Sequence, residues 1–161
     1  MPTTTQILAD RILERACGER CVEWAIGLLE DGYEQLPVYR LAAKLRPHNH
    51  FELASLRDQI LDLLELAPKT DEEILTAYAG EILLEAANGT RNRIEAITEV
   101  KDLCIVMDYL PTLYDFYSLY FAWEDLQYST EQYHWAGATR SNIESLIDNR
   151  ILEFLRTNET A

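Results

Sequence analysis

The sequence predicts an all-α fold, a single-domain bundle of about seven or eight helices with short connections over residues 1–161. Three observations predict it. Apolar residues recur at helical spacing nearly throughout, no segment sustains a period of two with β-branched residues, and only six glycines and five prolines punctuate the chain. With 161 residues, 48% of them hydrophobic, the chain can bury a core without a disulfide framework or a structural metal.

Each element has its own signal. Ile7, Leu8, Ile12 and Leu13 make one stripe over about Thr5 to Arg15. A second helix runs from about Glu19 through Trp24, Leu28 and Leu29 to Asp31, where Gly32 offers a left-handed stop. A third starts at Pro37, whose missing N–H costs nothing in a first turn, and carries Val38, Leu41, Ala42 and Leu45 up to Arg46-Pro47. Asn49-His-Phe-Glu52 reads as a capped start, and Leu53, Leu56, Ile60, Leu63 and Leu64 supply the buried face that follows.

Thr70-Asp-Glu-Glu73 is a capping box with acids at the positive end of the helix dipole, and that helix continues through Ile74, Tyr78, Ile82 and Ala86 to Asn88-Gly89. The next begins near Arg91 and runs toward Tyr109, with Ile94, Ile97, Cys104 and Ile105 on one side. Pro111 opens a new helix to about Leu126, because an internal proline would break the longer one. After a polar loop, Ser141-Asn-Ile-Glu144 reads as a capping box for a last helix with Ile143, Leu146, Ile147, Ile151, Leu152 and Leu155.

Charge excludes some partners. The chain has 28 acids against 14 Lys and Arg, a formal net charge of -14, which repels the phosphate backbones of nucleic acid. No run is long and apolar enough to span a membrane, and no basic cluster flanks an amphipathic face, so neither insertion nor an anionic lipid surface is expected. Met-Pro-Thr-Thr-Thr-Gln has no basic region ahead of an apolar core, and three cysteines are an odd, sparse set that fits reduced thiols. A cytoplasmic location is the expectation.

Catalytic motifs are scarce. There is no Gly-x-Ser-x-Gly elbow and no glycine-rich phosphate loop, and 28 acids make any carboxylate pair uninformative. His48-Asn49-His50 reads as a capped turn with both imidazoles in water rather than a nuclease motif. Cys17-Gly-Glu-Arg-Cys21 reads as two buried or half-buried cysteines, since the nearest histidines lie far along the chain and zinc needs four placed ligands. Glu131-Gln-Tyr-His134 has the Glu-x-x-His spacing of di-iron bundles, but no second pair accompanies it, so a solvated helix turn is favoured. No cofactor and no metal are expected.

One segment stands apart. Ten of the sixteen aromatic residues lie between Tyr109 and Trp135, and no Lys or Arg occurs between Lys101 and Arg140 while six acids do. Leu113, Phe116, Tyr117, Tyr120, Trp123 and Leu126 fall at three- and four-residue intervals and read as core, with Tyr114, Phe121 and Asp125 on a flanking face. The candidate partner-binding residues are therefore Tyr114, Asp115, Phe121, Glu124, Asp125, Tyr128 and Glu131. Tyrosines supply contact area at low entropy cost, and an acidic rim draws a basic protein.

The segment Trp24-Ala-Ile-Gly-Leu-Leu-Glu-Asp-Gly-Tyr33, followed by Leu36, Leu41 and Ala42, is similar to a pattern in small bacterial proteins of unassigned role. By size, acidity and helicity the chain also resembles the immunity proteins of bacterial toxin systems. That resemblance implies a cytoplasmic, non-enzymatic protein that neutralises a toxin, with carboxylates such as Asp115, Glu124 and Asp125 standing in for substrate phosphates. The alternatives are a helical-bundle metalloenzyme built on Glu131 and His134, and an oligomeric scaffold whose subunits meet along the aromatic stripe.

Overall fold

The structure, a computed structural model, describes Met1–Glu159, except for the side chain of Glu159. Among the described residues it is all-α, with eight α-helices, one 3-10 turn and no strand. No helix among them is long and apolar enough to cross a membrane. The chain divides into two compact units, residues 1–74 and residues 75 onward.

The first unit holds α1 (Thr4–Ile12), α2 (Glu19–Glu30), α3 (Leu36–Ala42), α4 (His50–Leu63) and the first turn of α5 (Asp71–Ala87). Thr3 opens α1 with a full capping box against Gln6, a signal the periodicity did not reveal. Gly32 takes φ 95° beyond α2, as its place after the last apolar residue requires. Asn49 accepts from the amides of Phe51 and Glu52 and so starts α4 where expected. Trp24, Leu41, Leu53 and Ile60 are buried at the centre, and the Trp24 indole donates to Thr4 Oγ1 at 3.1 Å. Leu45 departs from expectation: α3 ends at Ala42, and this leucine is 85% exposed.

The second unit holds the rest of α5, then α6 (Arg93–Val106), a 3-10 turn (Pro111–Leu113), α7 (Tyr114–Tyr128) and α8 (Ile143–Glu159). Thr70 Oγ1 accepts from the Glu73 amide at the start of α5. Asn92, not Arg91, sets the start of α6, accepting from the amides of Ile94 and Glu95. Pro111 heads the 3-10 turn that leads into α7, so the break expected there is real but occupies one tight turn first. The expected Ser141 capping box is replaced: Ser141 Oγ lies 3.0 Å from Thr139 Oγ1, and Asn142 accepts from the Thr139 amide. α7 packs on α6 and on α8, and Phe116 meets Phe154 edge to face at 5.5 Å.

Candidate functional site

Helix α7 buries Phe116, Leu119, Ala122 and Leu126. At 100° per residue these four lie on one side, and Tyr114, Tyr117, Phe121, Glu124, Asp125 and Tyr128 lie on the opposite one. Tyr117, Tyr120 and Trp123, expected in the core, are instead half-buried. Leu119 and Ala122 sit at the inward positions instead, both fully buried.

On the outward face the rings touch in series. Tyr114 stacks on Tyr117 with centroids 5.2 Å apart, and Tyr117 meets Phe121 at 4.8 Å. Tyr120 meets Phe121 at 5.1 Å and Trp123 at 6.1 Å. Tyr109 closes the near end, edge-on to Tyr117 at 5.5 Å. Asp108 and Tyr109 both hold positive φ, 53° and 60°, an uncommon pair of left-handed residues outside glycine. That turn is what brings the Tyr109 ring back over α7.

The acids are less free than their segment suggests. Asp115 accepts from Arg150 Nε of α8 at 2.7 Å, and the same guanidinium sits 5.4 Å from the Phe116 ring centroid. Asp125 faces His134 Nε2 at 3.2 Å. Lys101 pairs with Asp102 at 2.7 Å and places its ammonium 4.4 Å from the Tyr120 centroid. Glu124 is half-exposed, Glu131 accepts from the Tyr133 hydroxyl at 3.1 Å, and Tyr128 is 87% exposed at the end of α7. The structure thus gathers Tyr114, Phe121, Glu124, Asp125 and Tyr128 on one face. Asp115 is drawn aside toward α8, and Glu131 lies in the following loop.

That loop corrects the Glu-x-x-His reading. Residues 129–142 are not helical, because side chains claim the amides a helix would use: Ser129 Oγ accepts from Glu131, and Gln132 Oε1 accepts from His134 at 2.9 Å and Trp135 at 2.8 Å. Glu131 and His134 therefore share no helix face. His134 turns back to Asp125 and to the Phe121 ring, 5.8 Å away. Among the described residues no group of three or more His, Cys, Asp and Glu is arranged to hold a metal.

Two other readings change in the first unit. Cys17 and Cys21 are joined by a disulfide, Cα–Cα 6.1 Å, so the expectation of three reduced thiols gives way to one free cysteine, buried Cys104. Cys17 immediately precedes the Gly18 cap, and Cys21 lies in the first turn of α2. The imidazoles of the His48-Asn49-His50 turn are also engaged rather than left in water. His48 Nε2 lies 2.8 Å from Glu19 Oε2, and His50 Nδ1 accepts from the Cys17 amide at 2.6 Å. The hydrogen bond to His48, followed by that from Arg46, holds the Glu19 carboxyl below its ordinary range.

A hollow of about 550 Å³ among Thr4, Leu8, Arg11, Leu61, Glu65 and Lys69 mixes acids and bases and contains no cysteine or histidine. Tyr117, read from the sequence as core, and Tyr109, not counted among the partner-binding residues, complete the aromatic face. The position of Tyr117, between Tyr114 and Phe121 in the helical order, carried the signal for it; nothing local carried the signal for Tyr109. Compared with known proteins, the chain matches no family model, no curated protein and no solved structure.

Proposed function

We propose that the outward face of α7 docks a basic partner protein, and that the chain works as a non-enzymatic inhibitor in the cytoplasm, in the manner of the immunity proteins of toxin systems. The observation that carries this reading is the connected series of rings from Tyr109 through Tyr114, Tyr117 and Phe121, set opposite the buried side of α7 and flanked by Glu124, Asp125 and Tyr128. Rings already packed on one another lose little freedom when a partner covers them. Glu124 and Asp125 add the negative rim, and the positive-φ turn at Asp108 and Tyr109 supports the reading, since such strain collects where a surface is held for use.

The test begins with the protein encoded immediately upstream. If that product is cationic and binds, its association rate should fall at least about tenfold between low and physiological salt, because steering by exposed charge is screened. Tyr114→Ala and Glu124→Lys should each weaken binding. A salt-independent rate, or affinity unchanged by both substitutions, overturns the proposal. A stable homodimer in light scattering, dissociated by Tyr114→Ala, would transfer the face to self-association.

A further inference from the structure

The Cys17–Cys21 bond belongs to the first unit, and the proposed docking face makes no use of it. It spans a sequence separation of four, so it withholds less entropy from the unfolded chain than a bond between distant elements would. The unit around it already has an apolar centre in Trp24, Leu41, Leu53 and Ile60. A short-range cross-link beside an apolar core leaves room for a role besides stapling.

Its setting suits exchange. The two cysteines flank the start of α2, whose cap, Gly18, contributes no side-chain hydrogen bond to the first-turn amides. Amides in that position stabilise a neighbouring thiolate. On the other side, His50 takes the Cys17 amide, and Glu19, two residues along, is held by both Arg46 and His48. His48 Nδ1 is buried without a hydrogen-bond partner, so this corner keeps a polar atom in reserve beside the network that holds Glu19. Both cysteines are 4% exposed, which limits attack to small reagents.

We infer that Cys17 and Cys21 form a reversible dithiol–disulfide couple that exchanges with small dithiols while the chain stays folded. In reduction, a thiolate of the reagent attacks one sulfur, the S–S bond breaks and a mixed disulfide forms. The reagent's second thiol then displaces the protein cysteine. The protein gains two electrons and two protons, and the reagent leaves as its cyclic disulfide.

The test uses the full wild-type chain equilibrated in buffers of reduced and oxidised dithiothreitol, acid-quenched, alkylated in denaturant and mapped by peptide mass. Cys17 and Cys21 should pass together from bonded to alkylated in one transition, with the helical circular dichroism retained, and should return to the bonded form when oxidised reagent is restored. Cys17→Ser should lose the transition at Cys21. The inference is overturned if the pair resists excess reductant until urea unfolds the chain, or if it is never bonded in the oxidised buffer. Cys104, a free thiol in every sample, is the internal standard for complete alkylation in the same digest.

Discussion

Asp115 and Arg150 are joined at 2.7 Å across α7 and α8, although they stand 35 positions apart and Asp115 lies in a stretch with no basic residue of its own. The pair removes one carboxylate from the acidic face and anchors that face to the helix behind it. Arg150 is 20% exposed and Asp115 46%, so solvent screens the interaction in part. Arg150→Ala should cost about 1 kcal/mol in urea unfolding, from the ion pair and the lost packing on Phe116. Asp115→Asn should weaken partner binding less than Glu124→Gln does, because its charge is already committed to Arg150. Equal losses of affinity would contradict this division of roles.

The two sides of α7 should respond oppositely to truncation. Phe116 is fully buried against Phe154, so Phe116→Ala should lose about 3–5 kcal/mol of stability. Tyr114 is 45% exposed, and its replacement by alanine should cost under about 1 kcal/mol while weakening partner binding. Chemical denaturation of both variants, beside one binding measurement, checks the assignment of faces. A large stability loss in the Tyr114 variant would place that ring in the core after all.

Asp108 holds φ 53° in the turn that returns Tyr109 to α7. Glycine adopts that conformation without a Cβ penalty. Asp108→Gly should therefore keep the fold and gain up to about 1 kcal/mol, less the entropy glycine adds to the unfolded chain. Thermal unfolding measures it. A clear destabilisation would mean that the aspartate side chain itself holds the turn.

Acid should weaken the corner around Glu19. Its carboxyl is held below the ordinary range, first by the hydrogen bond to His48 and then by Arg46. A depressed carboxylate stabilises the fold fully above its unfolded value, and that contribution disappears as the pH falls through the lower folded value. Glu19→Gln should therefore lose less stability than the wild type across the acid range. Urea midpoints at a series of pH values below neutrality compare the two, and parallel curves would remove Glu19 from the acid response.

By itself the sequence determined the all-α class, a count of seven or eight helices where the described residues form eight, and many of their ends. These are local matters: Asn49 caps α4 with its own side chain, Gly32 takes the left-handed stop, and apolar spacing is read within a few turns. Its reading failed where local signals competed. The Glu131–His134 stretch has helical spacing, yet Ser129 and Gln132 satisfy its amides in a loop. α7 is aromatic on most sides, so periodicity could not say which side is buried; packing on α6 and α8 buries Phe116, Leu119, Ala122 and Leu126.

Only the tertiary structure decided the pairings. Arg150 reaches Asp115, His50 reaches the Cys17 amide 33 positions away, and the positive-φ turn sets Tyr109 on Tyr117. The physical reason is distance along the chain. A helix is specified by residues within a few positions of one another, whereas an ion pair or a ring contact between elements exists only once packing has brought their faces together.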